Sequence, residues 1–379
     1  MKVSQNTWFA NKGWENKFST EDSNADLVLY FGSRAILEGT EHFDELKAKF
    51  PNAALVGCST GGEIIGEQVN DNSLVLSAIK FDQTQIRVAS TQIKTAEGSQ
   101  KAGEELGAQL KGPDLKGVLL FSDGTLVNGT ALVQGLAKVL GANVPVTGGL
   151  AGDGAAFEST LVSAGEQPKA GCIAAIGFYG DSVQLGSSSF GGWDPFGPER
   201  MITKSKDNVL YELDGQPALD LYKKYLGDAA KDLPGSALLF PLTVRNPETN
   251  NHSIVRTILA VDEDQKSMTF AGDIPQGYIA QLMRGNFDHL VDGASTAAQN
   301  VPTSAATSDQ LAVLVSCIGR KLLLGQRIGD EVEAVSAALG NNVHTIGFYS
   351  YGEICPQEQN GFSALHNQTM TITTIGEKH

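Results

Sequence analysis

The feature that most constrains this chain is that it repeats itself. Three times an apolar strand is followed by a helix, a second strand, a Gly-rich stretch and a further strand. The first copy runs Leu27-Val28-Leu29-Tyr30-Phe31, a helix, Gly57-Cys58-Ser59-Thr60-Gly61-Gly62-Glu63-Ile64, then Leu74–Phe81. The second runs Val118-Leu119-Leu120-Phe121, a helix, Gly148-Gly149-Leu150-Ala151-Gly152, then Cys172–Phe178. The third runs Val313-Leu314-Val315-Ser316, a helix, Gly347-Phe348-Tyr349-Ser350-Tyr351-Gly352-Glu353-Ile354, then Leu365–Thr373. Copies one and three share Gly-x-x-[Ser/Thr]-x-Gly-Glu-Ile. Strand–helix–strand makes parallel neighbours, and a strand returning after a turn makes antiparallel ones. The expected fold is therefore mixed α/β: mixed β-sheets with covering helices, in two intertwined halves built from duplicated units. The default ligand site is a cleft between the halves.

Hydrophobic periodicity predicts helices at Glu38–Phe50, Lys101–Lys111, Asn128–Leu140, Pro217–Tyr225, Pro275–Asp292 and Gly329–Leu339. The stretches Gly57–Gly66, Gly148–Gly154 and Phe348–Gly361 read as loops, as does the Ala/Ser/Thr-rich Gln299–Asp309. Gly171–Tyr179 and Ser182–Ser189 read as a hairpin around Gly180-Asp181. Residues 1–25 are polar with two tryptophans and read as an arm packed on the body. Gly191–Pro198, rich in Gly and Pro, reads as a domain border.

Composition narrows the function. The formal charge is −15, and no Lys/Arg block interrupts it, which argues against nucleic acid or a membrane surface as partner. The N-terminus has no apolar signal segment, and no stretch reaches the roughly 20 apolar residues of a membrane span. The reading is cytoplasmic. Four cysteines, none in a C-x-x-C pair, and six histidines without metal-ligand spacing argue against a zinc site.

The Gly-rich stretches carry what chemistry the sequence offers. They lack both the P-loop Gly-Lys-[Ser/Thr] and the G-x-G-x-x-G spacing. They either permit tight turns and close packing, or present backbone N–H groups to an anion where two of them face each other. Gly57-Cys58-Ser59-Thr60-Gly61 matches G-x-S-x-G, but no helix follows it as a nucleophile elbow requires. A haem needs only one axial His, Cys, Met or Tyr. His366 at the start of the final strand, His344 before the third Gly-rich stretch, and Cys355 in Cys355-Pro356 are the candidates.

The set Gly57–Ile64, Thr147-Gly148-Gly149-Leu150-Ala151-Gly152-Asp153, Leu213-Asp214-Gly215-Gln216-Pro217-Ala218, Ser350-Tyr351-Gly352-Glu353-Ile354 and Leu365-His366-Asn367-Gln368-Thr369 resembles the FIST family of sensory domains. The resemblance implies an N-terminal arm (1–25), a FIST N-terminal domain (26–206) and a FIST C-terminal domain (207–379). It implies an intracellular ligand-binding sensor rather than an enzyme. One branch of the family senses nitric oxide with haem b and regulates a separately encoded histidine kinase in two-component signalling. Another binds a small metabolite such as an amino acid. A homodimer is left open. Under this resemblance His366, His344 and Cys355 are the haem-ligand candidates. The ligand loops comprise Gly57, Ser59, Thr60, Gly61, Gly62, Glu63, Gly148, Gly149, Gly152, Ser350, Gly352 and Glu353.

Overall fold

The computed structural model describes residues 1–19, 22–248, 253–302, 309–357 and 361–378. The fold is mixed α/β, with three six-stranded sheets and one nine-stranded sheet among the described residues. Each repeat copy founds one six-stranded sheet in the same way. Its first strand (Leu27–Ser33, Leu115–Ser122 or Gln310–Cys317) pairs parallel with its second (Ala54–Thr60, Val146–Leu150 or Val343–Ser350). On the other side the first strand pairs antiparallel with the returning strand, Ser73–Lys80, Cys172–Tyr179 or Met370–Glu377.

The sheets are completed by exchange. Glu63–Ile65 of the first unit leaves its own sheet and pairs with Val343–Ser350 of the third. Gly352–Pro356 of the third unit pairs with Val146–Leu150 of the second, and Val162–Ala164 of the second pairs with Ala54–Thr60 of the first. The exchange is cyclic, so the three units form a ring.

The opposite edges follow the same logic. Gln85–Gln92 leaves the first unit for the second sheet, and Val183–Phe190 leaves the second for the third. The segment expected to be a hairpin around Gly180-Asp181 is therefore a crossover: Cys172–Tyr179 and Val183–Phe190 lie in different sheets. The N-terminal arm supplies the corresponding edge of the first sheet, with Lys2–Phe9 paired along Ser73–Lys80.

Gly57, Gly148, Gly149 and Gly352, expected in loops, lie in strands. Gly57, Gly148 and Gly347 stand opposite Tyr30, Leu120 and Leu314 in the parallel pairs. A Cβ at each would fall 2.0 Å from the carbonyl oxygen of that partner. Only glycine lets the two strands approach so closely. Phe348–Gly361, expected as a loop, likewise contains the strand Gly352–Pro356, while residues 358–360 lie outside the described residues. Of the expected loop Gln299–Asp309, residues 303–308 also lie outside them.

The ring has a closed centre. Phe31, Phe121 and Phe348, one from each sheet, meet with ring centroids 4.7–5.9 Å apart. The axis between units is thus packed core rather than a cleft. The helices Ser99–Leu110 and Gly129–Leu140 cover the second sheet. They cross closely because Gly103 and Gly135 face backbone, where an added Cβ would sit 2.2 and 2.1 Å from Leu132 O and Gln100 O.

Between the second and third units the chain builds the fourth sheet from Trp193 to Gly285, with its own core around Leu210, Leu219, Met268 and Phe270. The expected helix Pro275–Asp292 is split there. Ile279–Gly285 is a strand of that sheet, and the helix is Phe287–Gln299. The signal is the N-cap, not the proline: Asn286 Oδ1 accepts from the backbone N–H of Asp288 at 3.0 Å.

Candidate functional site

The Gly turns that follow each second strand converge at one end of the ring. Gly61 N–H donates to Tyr349 O at 2.7 Å, Gly152 N–H to Ser59 O at 2.9 Å, and Tyr351 N–H to Leu150 O at 3.2 Å. Each turn is thereby tied to the strand of the next unit. Ser350 and Gly352 flank Tyr351, so parts of all three predicted ligand loops are brought together here.

Three junctions surround this end, and side-chain size decides which are open. Between the first turn and the third unit, Ile318 packs on Gly61, where an added Cβ would lie 2.7 Å from its Cδ1. Lys321 fills the rest, donating to Gly61 O at 2.8 Å and pairing with Asp71.

Between the second turn and the first unit lies a polar cleft of about 540 Å³ lined by Thr60, Gly61, Gly62 and Glu63 together with Arg34, Asp71 and Asp153. Between the third turn and the second unit lies a larger cleft of about 690 Å³. Gly124, Thr125, Val127 and Asn128 form one wall, Tyr351 and Phe157 the second, and Leu238, Ile258, Leu259 and Phe270–Gly272 of the fourth-sheet region the third.

The larger cleft is apolar. Phe157, Leu259 and Leu322 line it and keep 41%, 46% and 44% of their surface exposed. Phe157 is held in the left-handed region at φ 54°, which a bulky residue adopts only when its surroundings enforce it. The enforcement is visible. Asp153 accepts from the backbone N–H groups of Phe157, Glu158 and Ser159 at 2.9–3.0 Å. The Tyr351 hydroxyl donates to Asp153, and the Tyr351 ring stacks on Phe157 at 4.5 Å. Those hydrogen bonds hold the Asp153 carboxyl below its ordinary value against the opposing effect of burial.

The repeat's two glutamates are buried struts beside the turns. Glu63 accepts from Ser73 N–H at 3.1 Å and Ser73 Oγ at 2.7 Å, and from the Thr60 hydroxyl. Glu353 accepts from Ser350 Oγ at 2.6 Å, Thr369 N–H at 3.1 Å and Thr369 Oγ1 at 3.0 Å. Burial pushes Glu63 up to about 7 and Glu353 up to about 8. Each pins the turn to the start of the returning strand.

Other predicted residues are structural in placement. Gly57, Ser59, Gly148 and Gly149 are inside strands, and Ser59 Oγ accepts from Leu161 N–H at 2.9 Å while fully buried. Cys355 is buried, its thiol pushed up to about 12 by burial, so it stays protonated. His366 is pushed down to about 4 by burial, and its neutral ring places Nε2 3.1 Å from Cys355 O. His344 sits at the start of Val343–Ser350, away from the turn, with Asp309 at 3.8 Å. None of the three lines either cleft. Two are spent on the interior and the third lies apart, so as placed they do not fit a haem. Among the described residues no cluster of His, Cys, Asp and Glu is arranged to hold a metal, and no helix is long and apolar enough to cross a membrane.

Sequence reasoning missed Phe157, Leu259, Leu322, Tyr351 and Asp153 as site residues. Tyr351 and Asp153 lay in quoted motifs. The three apolar residues come from separate segments with no shared local pattern.

The chain is 24% identical over 327 residues to an uncharacterised protein of Methanocaldococcus jannaschii, covering 79% of this chain and 61% of that protein. It thus spans about three fifths of that relative's length. Among solved structures, a cyanuric acid hydrolase from A. caulinodans superposes over 94% of this chain and 91% of its own, at 8% identity and a TM-score of 0.34. That likeness carries no argument. Family models match along most of the chain, the FIST N domain over residues 26–216 and the FIST C domain over residues 218–356. The chain belongs to the FIST family of sensory ligand-binding modules.

Proposed function

We propose that the chain senses a small molecule bound in the 690 Å³ cleft between the ring and the fourth-sheet region. One observation supports this above the others. Phe157, Leu259 and Leu322, from three separate segments, keep apolar surface exposed and line one concave space. A ligand there touches the second unit, the third unit's Tyr351 and the fourth-sheet region at once. Occupancy thereby couples to their relative position, which a partner protein reads. In the two-component form of this reading the partner is a histidine kinase.

The test uses Nile red, a neutral apolar dye, with the full chain. One dye per chain is expected, with binding lost in Leu322→Trp, which fills the cleft, and in Leu259→Asp, which charges it. Dye binding that survives both changes would sink the cleft reading. Haemin titration decides the haem form. A saturating Soret band at one haem per chain that disappears in Leu322→Trp would place haem in the cleft; a broad, non-saturating spectrum would exclude it.

A further inference from the structure

Every residue lining the larger cleft is uncharged. The chain carries a formal charge of −15, and the smaller cleft holds Arg34, Glu38, Asp71, Asp153 and Glu158. The contrast bears on what each can bind. A charged ligand leaving water for an apolar cleft needs an opposite charge and hydrogen bonds to offset its desolvation. The larger cleft offers no lining side chain of either sign to a carboxylate or an ammonium.

Its polar side chains offer neutral groups instead. Asn128 caps the helix Gly129–Leu140, its Oδ1 accepting from Ala131 N–H at 3.0 Å. Asn208, on the fourth-sheet wall, donates from Nδ2 to Phe270 O at 2.8 Å. Those bonds commit one half of each amide and fix which way it is turned. Asn128 Nδ2 and Asn208 Oδ1 make no hydrogen bond among the described residues, and both side chains are only partly buried. Thr125 Oγ1 donates to Asp123 Oδ1 at 3.0 Å, which leaves it an acceptor. The Tyr351 hydroxyl is already committed to Asp153. All three polar residues line the cleft, so it presents one free donor and two acceptors.

The apolar wall adds a shape. Phe157 stacks on Tyr351 at an interplanar angle of 17°. It stays 41% exposed in spite of that contact, and Asp153 holds its backbone in the left-handed conformation that places it there. A planar ring laid on Phe157 extends the stack.

We propose that the cleft takes an uncharged carboxamide carrying an aromatic ring. The ring lies on Phe157, the carbonyl accepts from Asn128 Nδ2, and the amide N–H groups donate to Asn208 Oδ1 or Thr125 Oγ1. The proposal rests on the cleft being the ligand site and adds the ligand's chemical class.

Calorimetric titration of the full chain compares 4-phenylbutanamide with 4-phenylbutanoate, 4-phenylbutylamine and 4-cyclohexylbutanamide. The aromatic amide should bind at one per chain, with the acid and the amine about 10-fold weaker or more. The cyclohexyl amide should bind several-fold more weakly. Asn128→Asp keeps the cap on Ala131 N–H, so the melting temperature should hold while the free donor becomes a carboxylate oxygen. The preference should then invert, the amine binding more tightly than the amide. Phe157→Asn suits the left-handed backbone and removes the ring, so the two amides should bind it equally. An acid or amine that binds the unaltered chain as tightly as the aromatic amide would overturn the uncharged class. An amide-to-amine ratio unchanged in Asn128→Asp would overturn the role of Asn128. Equal binding of the two amides to the unaltered chain would overturn the stacked ring. No binding of any of the four with normal Nile red binding would overturn the proposal and leave the cleft reading intact. Absence of Nile red binding in the unaltered chain would remove both.

Discussion

At the first Gly turn, Ile318 of the third unit covers Gly61, and Lys321 reaches across to the Gly61 carbonyl and Asp71. At the third turn the sizes are exchanged. Tyr351 occupies the place of Gly61, and Gly124 of the second unit that of Ile318. Register puts Val127 where the third unit has Lys321. The backbone ring and the buried glutamate are the same at both turns. A swap of large for small across one contact, together with the loss of a long cation, turns a sealed junction into an apolar cleft. Repetition gives the ring its closure. Departures from repetition give it a site.

The strongest break of the comparison would come at its shared backbone. Gly57→Ala and Gly347→Ala each set a Cβ against a carbonyl at 2.0 Å and should each cost about 3 kcal/mol or more in denaturant unfolding. A large difference between them would show that the two turns are not equivalent.

Next comes the buried carboxylate. Glu353 is held at about 8 in the folded chain against an ordinary 4.5, so the folded state keeps a proton that the unfolded state releases. Its contribution to stability is present below about 4.5 and is lost as pH rises to about 8, a change on the order of a few kcal/mol. Glu353→Gln should flatten that slope and leave the variant more stable than the unaltered chain above pH 8. Glu63→Gln should do the same with the window closing near 7. Chemical denaturation across pH 5–9 reads both, and an unchanged slope would refute the assignment.

Tyr351→Phe loosens only the open junction. Loss of the hydroxyl from Asp153 and Gly154 O should cost about 1–3 kcal/mol and speed amide exchange at Phe157, Glu158 and Ser159. Protection there equal to that of the unaltered chain would contradict the role given to Tyr351.

The smallest effect is Lys321→Ala, at about 1 kcal/mol or less. It should raise the titration of Glu63, since the lysine charge lowers it, and bring the first turn closer to the third.

The repeat was legible because each unit writes an apolar strand, a helix and a Gly-rich return within about 50–60 residues, and because Gly-Glu-Ile marks two of the turns. The exchange between units was not legible. Glu63–Ile65 reads as the continuation of its own unit, and nothing local states that its partner is Val343–Ser350. The same holds for Gly180-Asp181, whose turn residues suit a hairpin and serve a crossover. The stretch Gly57–Thr60 read as loop because glycine usually breaks strands; here it is required by the approach of Tyr30 O. Of the site, the motif residues around Gly61, Gly152 and Tyr351 were in view. Phe157, Leu259 and Leu322 were not, because a lone exposed apolar side chain is ordinary until folding gathers several. His366 earned attention as a ligand type, and only the fold shows its ring turned to Cys355 O.

The cyclic strand exchange also governs how the chain can be cut. The stretch matched by the FIST N domain, residues 26–216, contains Glu63–Ile65 and Val183–Phe190, whose sheet partners lie in Val343–Ser350 and Met370–Glu377. Expressed alone, it would leave Val183–Phe190 without its sheet partner, Glu63–Ile65 paired only with Gln68–Asn70, and one edge of Val146–Leu150 uncovered, each a template for intermolecular pairing. Sequence modules and cooperative folding units therefore do not coincide here. A fragment that keeps the sheet partner of Val183–Phe190 has to reach Met370–Glu377.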